Sequence, residues 1–117
     1  MIIGLIPSRL NSKRLKEKPL LKIDGLPIIV HSFKRAKLAK KLDKVIVCTD
    51  HKKIVDVVKK NNGVAVLTSK KHRNGTERIY EVAKKMKKAT FILDIQGDQP
   101  LISPRAIDLT VEFHKKN

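Results

Sequence analysis

Five cations follow the first apolar run of this chain. The run covers residues 1–6 and has the composition of a buried strand. The cations are Arg9, Lys13, Arg14, Lys16 and Lys18. Ligands of open α/β sheets bind outside the carboxyl ends of the strands, so a cationic loop at this point suits a polyphosphate. A solvated basic turn is the alternative for a lysine-rich loop, but the motifs that come later in the chain favour the phosphate-binding interpretation.

Asp98 is the residue that the sequence best places to bind a metal ion. It follows an apolar run at residues 90–95, and Mg²⁺ prefers one or two carboxylates together with phosphate oxygens. A turn-forming role within Gly-Asp-Gln-Pro is an equal alternative. Asp94 lies four residues earlier, inside the predicted strand. His72 is a weaker metal candidate, because no second histidine stands at ligand spacing.

Other polar positions have a structural interpretation that competes with a functional one. The run Asn74-Gly75-Thr76 is typical of a helix start, where exposed N–H groups would face a bound anion. Asp50 is predicted to be the N-cap of a helix. Cys48 lies in an apolar run at residues 44–49 and is interpreted as a buried, inert thiol rather than a nucleophile.

Apolar runs and amphipathic stretches alternate along the chain and must position these loops. Predicted strands cover residues 1–6, 44–49, 64–67 and 90–95, and predicted helices cover residues 27–39, 51–60, 76–88 and 103–117. Strands that are apolar throughout belong in a parallel sheet covered on both faces by helices. The sequence therefore predicts one Rossmann-like α/β domain over residues 1–117. Because four strands leave an unprotected edge, we expect a longer protein.

The net charge of +16 and the single cysteine limit the possible functions. Aromatic residues make up 3% of the chain, which leaves few platforms for stacking single-stranded nucleic acid. A basic nucleic-acid-binding module is therefore the less favoured alternative, and the charge is expected to steer anions. No apolar run approaches the ~20 residues of a membrane span. One cysteine excludes an intrachain disulfide and fits a reducing cytoplasm.

Five blocks of the sequence resemble one family of enzymes. PSRLNSKRLKEKPL at residues 7–20 is similar to the phosphate loop of the sugar-acid cytidylyltransferases. GLPIIVH (25–31), CTDH (48–51), HRNGTER (72–78) and IQGDQPL (95–101) follow in the order and spacing of one branch. That branch is the 3-deoxy-manno-octulosonate (Kdo) cytidylyltransferases, or CMP-Kdo synthetases. The resemblance covers essentially the whole chain and implies the fold of the nucleotide-diphospho-sugar transferases.

The resemblance implies that CTP and Kdo react to give CMP-Kdo and pyrophosphate for lipopolysaccharide assembly. In this family the residues that match Arg9 and Lys18 contact the triphosphate and serve catalysis. Arg14 is expected to share that task, and Pro7 and Ser8 belong to the same substrate-binding loop. The cytosine pocket is expected at Ser69, Arg73, Asn74 and Gln96. Asp98 is expected to hold Mg²⁺, the implied cofactor.

The chain also departs from the family pattern. Lys16-Glu17 replaces the usual Pro-Gly, so Glu17 is expected to be slightly repulsive to phosphate. Family members are considerably longer, and their later half supplies a second metal carboxylate, much of the sugar-acid site and the homodimer contacts. We therefore expect this chain to carry the CTP half-site with little catalysis of its own. Another acid sugar, such as sialic acid, is the alternative substrate.

Overall fold

Helices and strands alternate along the chain, as the sequence predicts. The computed structural model describes residues 1–11, 16–87, 89, 91–96 and 102–116. Residues 114–116 are described by their backbone alone. The elements are β1 (Ile2–Ser8), a 3₁₀ turn (Lys18–Leu20), β2 (Lys22–Ile23), β3 (Leu26–Pro27), α1 (Ile28–Ala36), β4 (Lys44–Thr49), α2 (Lys52–Lys60), β5 (Val64–Leu67), α3 (Gly75–Ala83), β6 (Phe91–Asp94) and α4 (Pro104–Lys116).

The central sheet is parallel, and its strand order in the described part of the chain is β5-β4-β1-β6. Ile3 lies opposite Lys44 of β4, and Ile2 lies opposite Phe91 of β6. Asp43 fixes the beginning of the β1–β4 pair: its carboxylate accepts from the Ile2 N–H at 2.6 Å, and its own N–H donates to the Ile2 carbonyl at 2.7 Å. The carboxyl ends of all four strands therefore meet at one edge.

Two apolar clusters cover the two faces of the sheet. Alternate residues of β1 face opposite sides, because side chains along a strand have a period of two. Ile6 packs with Phe33 of α1 and Ile54 of α2 in the larger cluster, to which α4 adds Ile107. Ile3 and Leu5 pack against α3 in the smaller cluster through Ile79 and Val82. This arrangement confirms the predicted parallel sheet with helices on both faces.

The boundaries of several elements differ from the predicted ones. β4 and β5 have the predicted bounds, whereas β1 continues to Ser8 and α1 ends at Ala36. α3 ends at Ala83 rather than at residue 88, because the N–H groups of Lys85 and Met86 turn to carbonyls three residues earlier. Such tightening closes a helix without a glycine stop. Asp24 and Gly25 close the short β2–β3 hairpin, with φ of 51° and 82°.

Candidate functional site

A cavity of about 410 Å³ opens where β1 ends and α3 begins. Its volume falls in the range of small-molecule sites, and its place outside the carboxyl ends of parallel strands is where such sites form. One wall comprises Pro7, Ser8, Arg9, Lys18, Pro19 and Ile28. The opposite wall comprises His72, Arg73, Asn74, Gly75 and Arg78, and Gln96 lies between the two.

The first wall is held in place by the start of α2. The N–H of Leu10 donates to Oδ1 of Asp50 at 3.0 Å, which fixes the backbone directly after Arg9. Asp50 was predicted to cap α2, and that prediction is wrong. His51 is the N-cap, and its Nδ1 accepts from the Lys53 N–H at 3.0 Å. The Asp50 carboxylate instead binds the backbone of a segment 40 residues earlier and so anchors the cationic loop.

Glu17 occupies an unusual backbone conformation next to Lys18. Its φ is 54°, in the left-handed region that favours glycine. Its N–H donates to Asn11 Oδ1 at 3.0 Å, and its carboxylate pairs with Lys53 Nζ at 2.8 Å. The hydrogen bond from Lys53 lowers the pKa of Glu17. The expected repulsion of phosphate is therefore weakened, because a cation already faces this carboxylate.

The opposite wall is the amino end of α3. Asn74 is its N-cap, with Oδ1 accepting from the Glu77 N–H at 2.9 Å. Gly75 allows α3 to approach β1, since a Cβ there would lie 3.1 Å from the Pro7 ring. Arg73 donates from its backbone and from Nε to Glu77 at 2.8 and 2.9 Å, and these bonds lower the pKa of Glu77. The Arg73 side chain is 86% exposed, so it lies at the rim of the cavity.

Most of the predicted site residues within the described part of the chain line this one cavity. Ser69 does not: its Oγ accepts from the Lys71 N–H at 3.1 Å, and the residue is exposed beside the wall. Gln96 lines the cavity and donates to Asp94 Oδ1 at 3.4 Å. Asp94 is exposed, yet the water that its carboxylate loses in the fold raises its pKa. Arg14 and Asp98 lie outside the described residues.

Sequence reasoning gave no role to some residues that line the cavity. Arg78 is the clearest example, since it was quoted within HRNGTER without a function. Its place could have been inferred from helical periodicity, which puts it on the same side of α3 as Asn74 and Gly75. His72 was considered as a metal ligand, but its Nε2 lies 2.7 Å from Oε1 of Glu81.

Metal ligands do not gather elsewhere in the described structure. Among the residues it covers, no three His, Cys, Asp or Glu side chains lie together as a metal site. Mg²⁺ prefers one or two carboxylates together with phosphate oxygens, and Asp98, the carboxylate predicted for it, lies outside the described residues. Among the helices of the described residues, none combines the length and apolarity required to span a bilayer.

Comparison with known proteins identifies the class to which this fold and cavity belong. The family model described as cytidylyltransferase matches residues 3–117. The chain belongs to the cytidylyltransferase family.

Relatives of similar sequence give the branch of that family. A 3-deoxy-manno-octulosonate cytidylyltransferase from Fusobacterium nucleatum is 45% identical over 115 residues, which are 98% of this chain and 46% of the relative. An 8-amino-3,8-dideoxy-manno-octulosonate cytidylyltransferase from a Shewanella species is 40% identical and covers 98% of this chain and 48% of that protein. The chain thus spans about half the length of the curated relatives it matches.

A solved structure has the same fold as this chain. It is a CMP:2-keto-3-deoxy-manno-octonic acid synthetase complexed with CTP, with a TM-score of 0.95 and 34% sequence identity. The match covers 99% of this chain and 48% of that structure.

Proposed function

We propose that this chain carries the CTP-binding half of a Kdo cytidylyltransferase. The observation that supports this most directly is the pairing of Arg9 and Lys18 on one wall of a cavity whose other wall is a helix amino end. The two cations attract phosphate, and the opposite wall is left for the base. The similarity to a synthetase complexed with CTP, and to relatives named for Kdo, supports the choice of nucleotide and sugar.

The reaction of the whole protein is a direct nucleotidyl transfer. A hydroxyl oxygen of the sugar acid forms a bond to the α-phosphorus of CTP, the bond from that phosphorus to pyrophosphate breaks, and the hydroxyl proton passes to solvent. Arg9 and Lys18 offset the negative charge that develops on the departing pyrophosphate. Asp98 would hold Mg²⁺, which would supply positive charge to the phosphates and favour ionisation of the attacking hydroxyl.

The setting of this reaction is part of the proposal. CMP-Kdo would serve lipopolysaccharide assembly, and the whole protein would act in the cytoplasm as a homodimer. The single, buried Cys48 supports a reducing compartment. The related enzyme named for an 8-amino sugar supports a second candidate, in which the acceptor is that amino analogue of Kdo. Sialic acid has no comparable support among the relatives described above.

Calorimetry of Mg²⁺-dependent CTP binding tests the proposal on this chain. We expect CTP to bind more tightly than ATP or GTP, and Arg9→Ala or Lys18→Ala to weaken CTP binding roughly 10- to 100-fold, because each removes a charge-assisted hydrogen bond. Asp98→Ala should abolish the effect of Mg²⁺. Lys59→Ala is the matched control, since α2 carries this exposed cation at its far end.

Circular dichroism of each sample identifies unfolded variants. A folded chain that binds the three nucleotides equally, or not at all, would contradict the proposal. Equal losses from Lys59→Ala and Arg9→Ala would also contradict it, because they would indicate attraction by net charge alone.

A further inference from the structure

Arg78 is a cation almost completely removed from water. Its exposed fraction is 2%, although it lines the cavity. Within the described part of the chain, no carboxylate lies within ion-pair distance of its guanidinium. Burying a charge is costly unless hydrogen bonds compensate for the lost water. The acceptors that surround Arg78 therefore show what this residue holds in place.

Those acceptors lie at the end of β5. Nη1 of Arg78 donates to Thr68 Oγ1 at 2.5 Å and to the Ser69 carbonyl at 3.1 Å. Thr68 is itself attached to the end of β4, because its N–H and its hydroxyl both donate to the Thr49 carbonyl, at 2.7 and 3.0 Å. Arg78 thus joins α3 to the carboxyl ends of two strands.

Glu81, one turn further along α3, holds the same segment from its other side. Its Oε1 accepts from the Ser69 N–H at 3.0 Å and lies 2.7 Å from His72 Nε2. The Ser69 N–H is the largest influence that lowers the pKa of Glu81, and His72 adds to it. The carbonyl and the N–H of Ser69 are therefore both bound by side chains of one helix.

We propose that Arg78 and Glu81 are positioning residues that fix the base-recognising wall of the cavity, residues 72–75, before a nucleotide binds. The inference rests on the proposed function, which assigns the triphosphate to Arg9 and Lys18 and leaves the opposite wall for the base. A recognition site ordered in advance loses less conformational entropy on binding. Arginine suits this task because its Nη1, which makes both bonds, lies one covalent bond farther from Cα than the Nζ of a lysine would.

The proposal predicts a loss of base selectivity rather than of phosphate affinity. Arg78→Lys keeps the charge, but its Nζ is one covalent bond nearer to Cα than Nη1 and falls short of Thr68 and Ser69. We expect it to weaken CTP binding about three- to tenfold and to reduce the preference for CTP over UTP. Binding of inorganic tripolyphosphate, measured by the same calorimetry, should change less than about twofold, because no base is present. Glu81→Ala should act in the same way, and Glu81→Gln, which keeps an acceptor, should largely restore selectivity.

Hydrogen exchange tests the positioning role without any nucleotide. The amides of residues 69–75 should exchange faster in Arg78→Lys and Glu81→Ala than in the unmodified chain. Val82→Ala is the matched control, because it truncates a buried side chain of the same helix without touching Ser69. It should lower thermal stability and leave both the exchange of residues 69–75 and the CTP preference unchanged.

The outcomes separate this inference from the function on which it rests. A folded, unmodified chain that ignores CTP would overturn the proposed function and with it the selectivity claim. In that case unchanged exchange in Arg78→Lys would overturn the positioning role as well, whereas faster exchange would support it. If CTP and tripolyphosphate lose affinity equally, or if Val82→Ala reproduces the effect, Arg78 contributes to stability or phosphate binding and the inference is wrong.

Discussion

Cys48 is the single cysteine of this chain, and its environment strongly raises the pKa of its thiol. It is fully buried in β4, and burial raises its pKa to about 12. The positive charge of Arg78 opposes that shift without cancelling it. Because the thiolate is the nucleophile, a thiol with this pKa is unreactive near neutral pH. The interpretation of Cys48 as an inert core residue agrees with this environment.

Alkylation provides a test at the residue scale. At pH 8, four units below the pKa of about 12, roughly one Cys48 in ten thousand carries the reactive charge. We expect iodoacetamide to leave the folded chain unmodified, as measured by intact mass. The same reagent should label the chain fully in guanidinium chloride, which is the positive control. Rapid labelling of the folded chain would show that β4 opens readily.

The site could be predicted from sequence where its residues act locally, and not where they act across the fold. Arg9 and Lys18, which line the cavity, could be predicted as phosphate-binding residues because their loop follows a recognisable strand. Asp50 was misassigned because a carboxylate before a helix fits the N-cap rule, whereas its actual partner, the Leu10 N–H, lies 40 residues away. The burial of Arg78 could not be predicted either, because its compensating acceptors lie at the end of another strand.

At the scale of elements, the junction between α2 and β5 shows how two adjacent residues divide their tasks. The sequence rule assigns the left-handed conformation after a helix to glycine. Here Asn62 takes that conformation, with φ of 66°. Gly63 is needed for space, because a Cβ on it would lie 2.7 Å from both Phe33 Cε1 and Val58 Cγ1. The junction therefore tolerates no side chain at Gly63.

Substitution of this glycine should destabilise the fold. Gly63→Ala should lower the free energy of unfolding by about 1–3 kcal/mol, because Phe33 and Val58 must move away in a packed core. Urea denaturation followed by circular dichroism measures the change. Lys60→Ala is the control, because this side chain is exposed at the end of α2. Similar losses from the two variants would mean that packing at Gly63 is not the cause.

The order of elements was predictable because each strand is a continuous apolar run and each helix has an apolar stripe. Element ends were less predictable. α3 was extended through Met86 because this residue continues the stripe, and it does pack against the smaller cluster, but from a turn beyond the helix. The strands of the β2–β3 hairpin were not predicted, since two-residue strands carry too little pattern to recognise.

Across the whole molecule, the net charge of +16 works against compactness. Cations that repel one another in the folded chain move apart on unfolding, so self-repulsion favours the unfolded state. Salt screens such interactions, with a Debye length of ~30 Å at 0.01 M and ~8 Å at 0.15 M. Exposed ion pairs such as Lys41–Glu112 and Lys53–Glu17 are weakened by the same screening, but each contributes little to stability.

Thermal melts at two salt concentrations test which effect dominates. Raising sodium chloride from 10 to 150 mM, conditions chosen at about those two Debye lengths, should raise Tm by about 4 °C, as relief of roughly 1 kcal/mol of repulsion would. A neutral osmolyte at equal osmolality is the control, and it should produce a smaller change. A Tm that falls as salt is added would show instead that the surface ion pairs outweigh the repulsion.

The central position of β1 has a consequence for biosynthesis. Its two pairing partners lie far along the chain, with Ile3 opposite Lys44 and Ile2 opposite Phe91. At typical ribosomal speeds of about 5–20 residues per second, β1 waits roughly 2–8 s for β4 and roughly 4–18 s for β6. The strand with the most buried residues in the folded sheet is therefore the one exposed longest during translation. Nascent-chain aggregation should depend more on β1 than on β5, because only one helix separates β5 from its partner β4 in the chain.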